Sequence, residues 1–366
     1  MRNKVLFLCL EVFSCTGGIQ KVSRAMAKAL QELNSESTVY ALCDVMKDLN
    51  EDYLGRKSFG GFNRNKVTFS ISSFLKAFSC HTIMLAHINL LPVSYLIKLF
   101  SPSKRIVLIA HGIEVWRTMN RLQKYFLNKH VDIWAVSEFT KNQLIIKNQI
   151  KEDRILILNN CLDPFFEVPS TEKHHNLKTK NACKILPGKV VFTLARLSAQ
   201  EHEKGYDLVI QCMPKLLESH PGLKYLIGGA CGLQEKRRIC NMINALNLQN
   251  CVSLIGYIPE TALRSYYFQA DVFAMPSKKE GFGLVLIEAA ASGCEVIAGN
   301  QDGSTDALLN GKLGILVDPS SAKQIAEALL RALSTPCRQY AKARQQLALS
   351  TFSFESYKRK IKELLT

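Results

Sequence analysis

Two glutamates eight positions apart, Glu280 and Glu288, flank a glycine turn in the phrase PSKKEGFGLVLIEAAASGCEVIAGNQDGSTD, residues 276–306. Glu288 lies inside Leu284 to Ala291, LVLIEAAA, which is apolar on every side, the pattern of a buried helix. A carboxylate there is costly unless something pairs with it or hydrogen-bonds to it. The preceding loop carries Glu280, Gly281, Phe282 and Gly283, and glycines let a backbone approach a ligand closely. The helix that follows offers free N–H groups and partial positive charge at its start, which suits a diphosphate. Glu288 falls about five residues into it, roughly 7 Å along the axis at ~1.5 Å per residue. Such a carboxylate can accept two hydroxyls as a ribose clamp; pairing with a buried Arg or Lys of the core is the other reading.

A diphosphate also calls for cations. The stretch VFTLARLSAQEHEKGYDLVI puts Arg196 just past an apolar run and Lys204 just before an amphipathic one. Arg binds phosphate oxygens bidentately and Lys adds a point charge, although two loop cations can equally be surface groups. Near the amino end Gly17-Gly18 forms a strand–glycine–helix turn that is not G-x-G-x-x-G, so close packing is an alternative to phosphate contact. His111, in HGIEVW, follows the apolar run 105–110 and is either a site residue or a satisfied structural histidine.

The elements that must position these residues alternate. Before residue 167, strands are expected at 5–10, 39–43, 82–86, 105–110, 133–136 and 155–158. Helices are expected at 20–33, 119–129 and 138–148, with a further helix around Pro92. A polar, lysine-rich segment, 167–184, reads as a linker, and His174-His175 within it as solvated loop. The alternation then restarts. Strands are expected at 190–194, 224–227, 252–255, 272–275, 295–298 and 315–317. Helices are expected at 206–218, 233–246, 260–269, 284–291, 322–333 and 339–349, then a terminal one at 354–364. Strand–helix alternation predicts parallel sheets covered on both faces, so the fold class is α/β, two tandem Rossmann-like domains. The expected domains are 1–166, 185–351 and a terminal helix over 352–366. Ligands of such sheets bind at the carboxyl ends of the strands.

Bulk properties narrow the choices. With 366 residues, 47% hydrophobic and 21% charged, the chain has the composition of a globular protein of ordinary domains. Formal net charge is +16, with about +9 over residues 1–166. No tight Arg/Lys run with interleaved aromatics appears, which argues against nucleic acid; an anionic membrane is the partner better suited to such a basic surface, and a merely solvated basic surface is the other reading. The 12 cysteines lack C-x-x-C pairs or metal-ligand spacing and read as buried thiols of a reducing compartment. The start imitates a signal peptide, but Glu11 ends its apolar run and the segment reads as a buried strand. Residues 82–100 are too polar, with His87, Asn89, Pro92 and Lys98, for a spanning helix. The expected location is cytoplasmic, with peripheral docking on the inner face of the plasma membrane as an added expectation.

The phrase Glu280 to Glu288 is an E-x7-E signature, and around it stand GGI, HGIE, AVSEFTKNQL, ILNNCLDPFF, ARLS with EKGYD, and GYIPETALRSYYFQADVFAMPS. In that order, over nearly the whole chain, the sequence resembles a retaining glycosyltransferase of the GT-B fold, family 4 group. The resemblance implies two Rossmann-like domains with a deep cleft between them. It implies that Arg196 and Lys204 bind the donor diphosphate, that Glu288 holds the ribose, and that Glu280 and His111 contact the donor sugar. Phe282, Gly283 and Leu284 would add contacts near it, and Gly17 and Gly18 would let a loop close over the phosphates. It implies a nucleotide-sugar donor, a glycan or lipid-linked acceptor of cell-surface polysaccharide or lipopolysaccharide synthesis, no cofactor and no metal; no D-x-D stands where a metal clamp would. The chain departs from the pattern at AQEHE before Lys204 and at GNQDGSTDAL, where Asp302, Ser304 and Asp306 have no assigned role. A nucleotide-sugar epimerase on the same scaffold and a non-catalytic partner subunit are the rival functions; retention of Arg196, Lys204, Glu280 and Glu288 argues against the second.

Overall fold

The computed structural model describes residues 4–34, 36–168, 188–198, 202–334 and 338–366, with the side chains of 202 and 338–340 left aside. It divides into two compact units, Met1–Phe165 with Phe352–Thr366, and Phe166–Thr351. Most of the segment expected to be the linker, with His174 and His175, lies outside the described residues.

The first unit holds strands β1 (Val5–Cys9), β2 (Thr38–Ala41), β3 (Phe59–Gly61), β4 (Thr82–Leu85), β5 (Arg105–Ala110), β6 (Val131–Ala135) and β7 (Ile155–Ile157). They form one parallel sheet in the order β3-β2-β1-β4-β5-β6-β7. Its helices are α1 (Gly18–Leu33), α2 (Lys66–Ala77), α3 (Leu91–Phe100), α4 (Ile113–Trp116), α5 (Arg121–His130) and α6 (Glu138–Asn148). Central strands β1, apolar throughout, and β4, apolar after Thr82, are wholly buried, as a sheet covered on both faces requires.

The second unit repeats the scheme with β8 (Val190–Leu194), α7 (Tyr206–Ser219), β9 (Lys224–Gly228), α8 (Leu233–Ala245), β10 (Val252–Gly256), α9 (Glu260–Gln269), β11 (Val272–Met275), α10 (Leu284–Ala291), β12 (Glu295–Gly299), α11 (Ser304–Ala307), β13 (Ile315–Val317), α12 (Ala322–Ser334) and α13 (Arg338–Thr351). The parallel strand order is β10-β9-β8-β11-β12-β13. The terminal helix α14 (Phe354–Leu365) belongs to the first unit, where it packs on α1. Lys358 of α14 pairs there with Glu32 at 2.5 Å.

Strand order reverses between β1 and β4 in one unit and between β8 and β11 in the other. These are the switch points at which doubly wound sheets open a crevice for ligands. The loops after β8 and β11 carry Arg196, Lys204 and Glu280, so the second unit's candidate residues gather at its switch point.

Most expected elements are present within a residue or two. The helix expected at 119–129 starts later, at Arg121, because Asn120 caps it and Gln123 closes a reciprocal capping box. β3 and α2 were not foreseen. β3 is short and contains Gly60-Gly61, and α2 is apolar on an exposed face as well as on a buried one, which blurs its period.

Candidate functional site

In the second unit the site is built on three loops packed backbone against backbone. The loop after β11, residues 276–283, carries Glu280. The loop after β8 ends at Lys204 and Gly205, and a Cβ on Gly205 would lie 2.3 Å from the Pro276 carbonyl oxygen. The loop after β12 contributes Gly303, whose Cβ would lie 2.1 Å from the Gly281 carbonyl oxygen. The Gly303 amide donates to the Glu280 carbonyl at 2.8 Å, and the Lys278 amide to the Glu203 carbonyl at 2.8 Å. Alanine at Gly303 meets backbone on the facing loop, which cannot yield as a flexible side chain can. G303A should therefore displace the Glu280 loop, lowering activity about tenfold or more and stability by roughly 1–3 kcal/mol; thermal unfolding and an activity assay on the purified variant check this.

Lys204 and Glu280, expected to serve opposite ends of a ligand, are themselves in contact, with Nζ to Oε1 at 2.5 Å and side chains 15% and 19% exposed. They are 76 residues apart in the chain, and only the adjacency of β8 and β11 joins them. Arg196 is exposed just beyond β8. Asp302 turns out to be a positioning residue: it is fully buried, accepts the Glu280 amide at 2.7 Å on Oδ2 and the Ser304 amide at 2.9 Å on Oδ1. Burial pushes its carboxyl up to about 6, against the opposing pull of Ser304 and with a further push from Glu280.

Gly283 caps α10 in the left-handed region at φ +93°, where an L residue is strained. Phe282 is buried and Leu284 half-buried. Helix α10 is the buried helix its composition predicted. Glu288 is 5% exposed, and its Oε2 accepts the Tyr267 hydroxyl of α9 at 3.0 Å. Tyr267 packs against Phe192 and Phe273. Burial and the neighbouring Glu288 hold the Tyr267 phenol well above its ordinary range, so it stays a donor. A tyrosine partner was not anticipated, because a hydroxyl contributed from α9 leaves no mark in the local sequence.

In the first unit, His111 lies just past β5, buried, with Nε2 3.0 Å from the Ala86 carbonyl at the end of β4. A carbonyl only accepts, so Nε2 carries the proton and Nδ1 is the acceptor of the neutral ring. Burial lowers the ring's pKa to about 4. The unfolded chain protonates this ring below about 6.5 and the folded chain only below about 4. Its contribution to stability is complete above 6.5 and is lost as pH falls toward 4. Asp302 acts in the opposite sense: its native carboxyl keeps a proton up to about 6, against an ordinary 3.8, so its contribution is lost as pH rises through that window. H111Q, which can still donate to Ala86, should lose about 1–3 kcal/mol less than the parent on acidification across this range, read as the pH dependence of denaturant midpoints.

The loop holding His111 is organised by Glu114, whose Oε1 accepts the His111 amide at 2.6 Å and the Gly112 amide at 3.0 Å. Gly17 and Gly18 open α1 with Gly17 extended at φ −179°. Nothing lies within 4 Å of a Cβ placed on Gly18, so packing in this unit does not demand a glycine there. The loop before them is pinned by buried Asp44, which accepts from the Val12 and Phe13 amides at 3.0 and 2.8 Å and from the Ser14 hydroxyl at 2.6 Å. Among the described residues no group of three His, Cys, Asp or Glu side chains could hold a metal ion, and the ten described cysteines are free. Among the same residues no helix is long and apolar enough to cross a membrane.

Comparison with known proteins divides the chain in the same way. Residues 16–165 match the model of Glycosyltransferase Family 4, and residues 183–348 that of Glycosyl transferases group 1. A glycogen synthase of Mycobacterium tuberculosis is 30% identical over 158 residues, 43% of this chain and 38% of that protein. A 2-deoxystreptamine N-acetyl-D-glucosaminyltransferase of Niallia circulans is 32% identical over 248 residues, 63% of this chain and 61% of that protein. The chain thus spans less than two thirds of the length of these relatives. The crystal structure of Anabaena Alr3699/HepE in complex with UDP-glucose superposes with a TM-score of 0.80 over 99% of each chain, at 20% identity. At that identity the likeness is one of fold, the GT-B fold.

Proposed function

We propose that this chain, whose residues 16–165 and 183–348 match the Glycosyltransferase Family 4 and Glycosyl transferases group 1 models and which has the GT-B fold, transfers a sugar from a nucleotide-sugar donor to a glycan or lipid-linked acceptor with retention at the anomeric carbon. The observation that carries this reading is the gathering of Arg196, Lys204, Glu280 and the amino end of α10 at one switch point, with Glu288 further along the helix. The Anabaena neighbour was solved with UDP-glucose, which supports a nucleotide sugar as the donor class. A glycogen synthase and an N-acetylglucosaminyltransferase among the relatives support sugar transfer.

The reaction breaks the bond between the anomeric carbon and the diphosphate oxygen and forms one to the acceptor oxygen on the same face. The leaving phosphate oxygen takes the acceptor's proton, since among the described residues the site offers no obvious second base. Negative charge grows on the diphosphate, and fixed positive groups aimed at it form the electrostatic term that is usually the largest. Arg196, Lys204 and the α10 amides are those groups. In the resting protein Glu280 neutralises Lys204. A donor sugar drawing on Glu280 as acceptor and a diphosphate drawing on Lys204 would replace that ion pair from both sides. Glu288 holds the ribose, with Tyr267 fixing one of its oxygens. Neutral His111 accepts a donor-sugar hydroxyl on Nδ1. Since protein groups supply the charge, turnover is expected to be unchanged by EDTA; loss of activity restored by a divalent ion would contradict this.

The class of acceptor, in cell-surface polysaccharide or lipopolysaccharide synthesis, is part of the proposal. Purified protein incubated with UDP-, GDP- and ADP-sugars tests the reading. Release of nucleoside diphosphate from one donor supports transfer, whereas a donor recovered as its epimer supports an epimerase instead.

A further inference from the structure

We infer that α2 and α3 form a docking face for an anionic lipid surface. On α2, Val67, Ile71, Leu75 and the following Phe78 recur at helical spacing and are between 52% and 67% exposed, while Phe69, Ser73 and Ala77 on the opposite face are buried. Helix α3 packs beside it and adds Leu99 and Phe100, 72% and 64% exposed. The ring of Phe74 lies 5.1 Å from Phe78 and 5.4 Å from Phe100, joining the two helices in one apolar patch. Contiguous exposed apolar surface of this kind marks an interaction site, and scattered single residues do not.

Charge selects the occupant. Between Asp52 and Glu114 the sequence has no acidic residue and eight lysines and arginines. Arg64 and Lys66 are exposed at the start of the α2 stripe. Lys104 is fastened at its far end, donating to the carbonyls of Phe78 and Cys80 at 2.9 and 2.6 Å. Lys98, on α3, donates to the carbonyls of Pro102 and Lys104. A second copy of the chain would bring like charge onto like charge across this face. An anionic leaflet takes the apolar stripe at the acyl boundary and the cations at its headgroups. The inference is independent of the proposed reaction, because it concerns neither the switch-point residues nor the donor.

The test is flotation of the full chain with vesicles of phosphatidylcholine alone and of phosphatidylcholine with phosphatidylglycerol. The parent should float with the anionic vesicles, less so as salt rises, and hardly with the neutral ones. I71E/L75E, changing two exposed positions, should lower the bound fraction roughly tenfold or more with its thermal midpoint unchanged; L99E serves the same purpose should that variant unfold. Unaltered flotation of the variants, equal binding to neutral vesicles, or a parent dimer that I71E/L75E splits into monomers would overturn the inference, the last by making the face a self-interface.

Discussion

Replacing Lys204 with alanine is expected to lower kcat about 10²–10³-fold, and replacing Arg196 with alanine to have an effect of similar size. Both cations face the growing charge of the departing diphosphate in the proposed reaction, so their loss is felt more in the transition state than in the ground state. Lys204 has a second consequence. Its removal leaves Glu280, only 19% exposed, without its 2.5 Å partner and raises the cost of keeping that carboxylate ionised. K204A/E280Q separates the two effects. If Lys204 served only to neutralise Glu280, the double variant would regain activity relative to K204A. If Lys204 acts on the leaving group, the double variant stays at or below it. Near-parent turnover in both R196A and K204A would remove the diphosphate assignment.

The second large effect is expected at Glu288, and on a different kinetic constant. E288Q should raise the donor KM about 10–100-fold while changing kcat much less, because a ribose clamp contributes equally to ground and transition states. The amide oxygen of glutamine can still accept the Tyr267 hydroxyl, 3.0 Å away in the parent, so the fold should be retained. A donor analogue lacking the ribose 2′-hydroxyl should bind the parent as weakly as the full donor binds E288Q, and the variant should not distinguish the two. A purely structural Glu288 would instead lower the thermal midpoint and leave the donor KM alone.

How much of this was readable in the chain follows from how far each feature depends on neighbours distant in sequence. Helix α10 and the acid within it were legible because seven apolar residues spread over every side of an octet mark a buried helix, and Glu288 stood out among them. The strand–helix alternation was legible because buried parallel strands are short apolar runs between amphipathic ones. The strand order was not, since nothing local specifies that β8 lies beside β11 while β9 and β10 lie outward. The Lys204–Glu280 pair was hidden for the same reason. Asp302 lay in a recognised departure from the family pattern, yet its task became clear only once the loop after β12 was seen packed on the loop after β11. Glu114 had a local signal, a carboxylate three residues past His111 at a strand end, where it can gather amides. Helix α2 escaped because its outward apolar stripe defeats the one-faced pattern that identifies surface helices, and that same stripe underlies the lipid-docking inference.

The central claim is tested most directly by following the parent protein with a panel of UDP-, GDP- and ADP-sugars and a glycan acceptor by proton and phosphorus NMR. One donor should release its nucleoside diphosphate in step with a new glycosidic product whose anomeric configuration matches that of the donor. A product of opposite configuration, a donor converted to its epimer, or a protein that binds no nucleotide at all would contradict it.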